Sequence, residues 1–100
     1  MVELVPTGEV LAHQLITMRR AIDQLEVRYS RLAAEFAQSE WWDYEGFNSA
    51  YDWIRLNCHM TSNSAWTALA VGAREPDLDQ SLDAMDSGEI GYAHVGVMAR

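Results

Sequence analysis

The chain reads as an all-α domain, a long amphipathic N-terminal helix followed by about four shorter helices, and three observations predict it. No glycine or proline interrupts residues Glu9 to Glu45. Two N-cap signatures bracket a tight turn in the middle of the chain, and the later apolar residues recur at helical spacing up to a glycine stop.

The long helix is expected over about residues 8–40, after a lead closed by Pro6 and capped by Thr7. Its apolar residues Leu11, Leu15, Met18, Ile22, Leu25, Tyr29, Leu32 and Phe36 are spaced alternately by four and three, an unbroken heptad stripe. A helix of roughly 30 residues is about 45 Å long, more than the width of a compact domain of this size. Part of the stripe therefore needs a partner, and a second copy is the simplest one. Leu15, Met18, Ile22, Leu25, Tyr29 and Leu32 are the candidate dimer-interface residues. In a parallel zipper the flanking pairs would be Gln14 with Arg19, Ala21 with Glu26 and Arg28 with Ala33, none of them an ion pair. Packing of the stripe on its own domain and an intermolecular role for its exposed part both stay open.

Beyond Ser39 the period is lost and Trp41, Trp42, Tyr44 and Phe47 crowd together before Gly46 and Ser49. These rings are expected to seal the junction between the long helix and the rest. Ser49 with Asp52 three residues on starts a helix predicted over Ala50–Asn57. Cys58, His59 and Met60 interrupt it, and Thr61 caps the next helix, predicted over Ser62–Arg74 with Ala65, Trp66, Leu69, Ala70 and Ala73 inward. Helix, three-residue turn and helix make a helix-turn-helix shape, which is also a common packing unit. After Pro76 a short helix with Leu78, Leu82 and Met85 inward is closed by Gly88 as a left-handed C-cap. A last helix from Tyr92 is expected to be still running at Arg100, as if residues 1–100, read as a single domain, were the N-terminal part of a longer chain.

Composition narrows the function. With 49% hydrophobic residues the chain is a folding one, and its apolar runs are too short for a membrane span. The N-terminus lacks the charged start and apolar centre of a secretion signal, and one cysteine excludes an internal disulfide, so a cytoplasmic protein is expected. Seven arginines, no lysine and fifteen acidic residues give a net charge of −8. Such a chain is repelled by phosphate backbones unless its arginines gather on one face.

Reactive side chains do not assemble into known chemistry. Cys58 and His59 are sequence neighbours that diverge, and only His13 or His94 could serve the thiol as a base across space. Cys58 is expected to be a small buried side chain in the turn. One cysteine and three scattered histidines do not make a zinc site. The run Asp77, Asp79, Ser81, Asp83 imitates a calcium loop but has Leu82 where a glycine belongs and Gly88 where a bidentate glutamate belongs. No catalytic residue, metal or cofactor is therefore assigned. If the helix-turn-helix meets DNA, the start of its second helix offers Asn63 and Thr67 for base edges or phosphates, with Arg55 and Arg74 as cations beside it.

Gly46-Phe47, Ser49, Trp53, Cys58-His59-Met60-Thr61, Ala65, Val71-Gly72, Leu78 and the closing segment Asp86–Arg100 carry a resemblance to a known family. They resemble the actinobacterial domain of unknown function two-two-two, a repeat-family module found N-terminal to HNH endonuclease domains. The closing segment is also similar to the helix after the helix-turn-helix of ParB-type partition proteins. Where the family opens its fourth helix with a leucine-proline pair, this chain has Leu78-Asp79. The histidines and asparagine of the nuclease motif are absent, and in the family they lie further along, beyond Arg100. The resemblance implies a non-enzymatic helical module that helps place an HNH-type nuclease on DNA. The competing expectation is a homodimerisation module working through the heptad stripe without touching DNA.

Overall fold

A computed structural model describes residues 7–100, and the lead closed by Pro6 lies outside the described residues. The architecture is all-α: α1 (Thr7–Ser39), α2 (Trp41–Tyr44), α3 (Ala50–Asn57), α4 (Ser62–Arg74), α5 (Asp79–Asp86) and α6 (Tyr92–Met98), with a 3₁₀ turn at Glu75–Asp77. The expected long helix and helix-turn-helix are both present.

The local signals act where the side chains put them. Ser49 Oγ accepts the Asp52 N–H at 3.0 Å and Thr61 Oγ1 accepts the Ser64 N–H at 3.1 Å, so each cap satisfies a donor that its helix leaves orphaned. Between them His59 takes a left-handed conformation, φ 54°, which reverses the chain between α3 and α4. Gly88 closes α5 at φ +87°, a conformation that an L side chain adopts only with strain. Leu78 and Met85 of the α5 region are buried, as their spacing predicts.

Helix α4 is the hub, because it joins two apolar clusters. Val27, Val71, Leu78, Met85, Val95 and Ala99 form one, and Ala33, Ile54 and Ala65 form the other, with Tyr29, Phe36, Trp53 and Leu69 packed against it. The crossing of α1 with α4 is very close. A Cβ on Gly72 would stand 2.1 Å from the Ser30 carbonyl oxygen, so only a glycine lets the two backbones meet there. The face of α1 that meets α4 and α6 is consequently Asp23, Val27, Ser30 and Ala33, a row of small or polar side chains. Ser30 is fully buried and shares a 2.7 Å hydrogen bond with the Tyr92 hydroxyl. Asp23 accepts from Arg19 through Nε and Nη2 at 3.1 and 2.9 Å.

Several expectations need correction. Of the two readings left open for the heptad stripe, packing on its own domain holds only for Tyr29 and Phe36, which join the core, while its other large residues are exposed. On α4, Trp66 is 57% exposed and Ala73 is exposed, while Thr67, Ala68 and Val71 take the inner positions. Cys58 is exposed instead of buried. Of the aromatic group, Trp41 and Tyr44 are exposed and stack on each other, with ring centroids 4.8 Å apart, while Trp42 donates to the Ala37 carbonyl from α2. The last helix ends at Met98, before Arg100.

The outcome is an elongated molecule. Its extents are 63 × 29 × 18 Å, and its radius of gyration is 17.2 Å, whereas about 13 Å is usual for a compact chain of this length. Residues 7–22 of α1 are all exposed, but the Arg20 guanidinium lies against Gly88 and Ile22 borders the body, so the part that projects is about residues 7–18, an arm of about 18 Å.

Candidate functional site

The stripe and the body together build a concave feature. Ile22, Leu25, Tyr29 and Leu32 of α1 form one wall of a groove of about 910 Å³, and Met60, Thr67, Ala68, Tyr92, Gly96 and Val97 line the rest of it. The groove exists because α1 meets α4 and α6 through its small face. The adjoining stripe of large side chains is then turned outward beside the α4 and α6 surfaces, like a raised edge.

The groove is apolar with a polar rim. Its polar lining includes Glu26 and Arg28 from α1, Asn63 and Ser64 from the start of α4, and Arg100. Arg100 Nη2 donates to Asn63 Oδ1 at 2.7 Å and to Thr67 Oγ1 at 3.1 Å, tying the segment after α6 to the start of α4. On the floor the Tyr29 hydroxyl donates to the Met60 sulfur at 3.2 Å. Burial, and then the Cys58 thiol beside it, push the Tyr29 hydroxyl above its ordinary range, so it stays a neutral donor. Burial likewise raises the Tyr92 hydroxyl, against the lowering effect of its Ser30 hydrogen bond. The Glu26 carboxyl is raised from 4.5 by partial burial, partly offset by the nearby Arg19.

All six dimer-interface candidates lie along this feature. Leu15 and Met18 are on the projecting arm, and Ile22, Leu25, Tyr29 and Leu32 continue the line into the groove. Leu15 is 70% exposed and Leu32 64% exposed, so neither contributes much to the core of a single chain.

The four DNA-contact candidates do not share one face. Arg55 is half-buried, paired with Asp52 at 3.7 Å and placed 5.9 Å from the Tyr51 ring centroid, and its Nε is buried without a hydrogen-bond partner among the described residues. Arg74 is at the far end of α4, where it pairs with Asp77 and donates to the Ala99 carbonyl at 3.4 Å. Thr67 is 9% exposed, its methyl group against Gly96. Asn63 is exposed and held by Arg100, a cation that reasoning from sequence passed over because it is 37 residues away in the chain. Among the described residues no group of three or more histidine, cysteine or acidic side chains is arranged to hold a metal ion, and no helix is long and apolar enough to cross a membrane.

Fold and site together describe a small helical module with an apolar arm and groove. The chain matches no family model, no curated protein and no solved structure.

Proposed function

We propose that this chain is a non-enzymatic assembly module that self-associates through the stripe of α1. The observation that carries the reading is the exposure of Leu11, Leu15, Met18, Leu25 and Leu32 along one line of a helix whose adjoining face already holds the core. Isolated apolar residues on a surface need no explanation, but a continuous line of them running into a groove is the pattern of an interaction surface. The net charge of −8 fits a module that meets protein more readily than phosphate. Sedimentation velocity at tens of micromolar tests it: the wild type should sediment as more than one 11.3 kDa chain, and Ile22→Asp with Leu25→Asp as a folded monomer. A wild type that stays monomeric throughout would remove the reading.

The resemblance noted in the sequence supplies a setting, that of a module accompanying an HNH-type nuclease. A second reading, DNA contact by this piece, has one specific support: Asn63 and Ser64 are exposed at the start of α4 with Arg100 beside them. Helix starts with a neighbouring cation are a common phosphate contact. Fluorescence anisotropy with labelled duplex DNA at low salt tests this. Binding lost in Arg100→Ala and weakened by salt supports it, and no binding at low salt retires it for this module.

A further inference from the structure

We infer that the occupant of the groove is the α1 arm of a second copy of this chain, laid antiparallel, so that each copy's arm fills the other's groove. The inference rests on the self-association reading above and adds a direction and a register to it.

Three observations lead there. The arm and the groove lie on one line of α1, so a two-fold axis crossing that line near residues 23 and 24 brings both into use twice. The alternating four-three spacing of the stripe reads nearly the same in both directions, which lets one helix pair with itself reversed. In this register Leu15, Met18 and Ile22 of one copy lie across Leu32, Tyr29 and Leu25 of the other. The area is adequate as well. Each copy offers six stripe residues, with Leu11 and Val97 at the margins. At roughly 100 Å² for each large apolar side chain this approaches the ~800 Å² per partner of a standard interface.

Charge selects the register and the direction. Antiparallel helices set like flanking positions against each other, and here Arg19 of one copy meets Glu26 of the other, twice by symmetry. Sliding the pair by one heptad toward the N-terminus would set Arg19 against Arg19 of the second copy instead. A parallel zipper forms no flanking ion pair at all. Glu26 already stands at the groove edge with its carboxyl raised by burial, so a second arginine arriving there meets an acid short of compensation.

The test uses Leu15 and Leu32, which are exposed in the single chain and so tolerate change without unfolding it. Leu15→Glu and Leu32→Arg should each weaken dimerisation by roughly a hundredfold, because each dimer carries the change twice and each buried leucine is worth about tenfold or more. The Leu15→Glu/Leu32→Arg double variant decides. In the antiparallel pair glutamate faces arginine at both places, and dimerisation by sedimentation equilibrium should recover to within about tenfold of wild type. In a parallel pair glutamate faces glutamate and arginine faces arginine, and the double variant should be weaker than either single one. Circular dichroism confirms that each variant keeps its helix content. A wild type that dimerises with no recovery in the double variant overturns the antiparallel arrangement alone. A monomeric wild type overturns the self-association reading with it.

Discussion

Replacing Gly72 with alanine should destabilise the chain even though alanine is the better helix former. In α4 the new methyl would lie 2.1 Å from the Ser30 carbonyl oxygen and 2.9 Å from the Ala34 methyl. Contacts between such atoms settle near 3.5 Å, so α1 and α4 would have to part by roughly 1 Å at their crossing. The obstacle is backbone, which cannot rotate aside as a side chain can. Overpacking of this kind costs about 1–3 kcal/mol, and the upper end applies because separation also loosens the contacts of Val27, Ala68 and Val71. Against this stands a gain of about 1 kcal/mol in helix propensity. The net expectation is a loss of about 2 kcal/mol, or roughly 10–15 °C in Tm for a domain of this size. Urea denaturation followed by circular dichroism measures it, with Gly8→Ala as the control: nothing lies within 4 Å of that added methyl, so it should be neutral or slightly stabilising. A Gly72→Ala protein as stable as wild type would refute the close crossing, and with it the reason the heptad stripe faces outward.

Three further perturbations follow from the same contacts. Gly96→Ala puts a methyl 2.6 Å from the Thr67 methyl and should cost about 1–2 kcal/mol; adding Thr67→Ser removes the obstructing methyl, so the double variant should regain most of the loss in thermal denaturation. Ser49→Ala and Thr61→Ala should each cost about 1 kcal/mol through loss of the cap, nearly additively if α3 and α4 are anchored separately, as urea midpoints would show. Glu26 binds its proton more tightly in the folded chain than in the unfolded one, so its contribution to stability is greatest below pH 4.5 and fades as pH rises through its raised folded value. Glu26→Gln should therefore flatten that part of the stability curve and be neutral or mildly stabilising to the single chain at pH 7, as chemical denaturation across pH 3–7 would show.

Local signals were the most legible part of the sequence. Ser49 and Thr61 mark the helix starts, and Gly88 marks the end of α5, because each acts on backbone groups within three or four residues of itself. The inner face of α1 was harder to read. By hydrophobicity the stripe from Leu11 to Phe36 outweighs Asp23, Val27, Ser30 and Ala33, and nothing local to α1 reveals that small residues win. What decides it is Gly72, about forty residues away, since a helix with a glycine at the crossing is matched best by a partner with small side chains there. The same reasoning applies to α4, where Trp66 was expected inside and Thr67 takes the inner position against Gly96. The groove was not legible at all, because its walls come from four separated segments. Its α1 wall, however, consists of residues already singled out as interface candidates.

The sequence by itself determined the helical class, the long first helix, the capped helix-turn-helix, and the acidity that disfavours phosphate. All of these depend on periodicity, on caps a few residues apart, or on summed charge. Only the tertiary structure decided which side of the long helix is covered, that Arg100 reaches back to Asn63 and Thr67, and that Arg55 and Arg74 are each engaged elsewhere. The reason is physical: a helix with two faces of comparable periodicity can bury either one, and the choice belongs to whichever neighbour fits it at backbone distance.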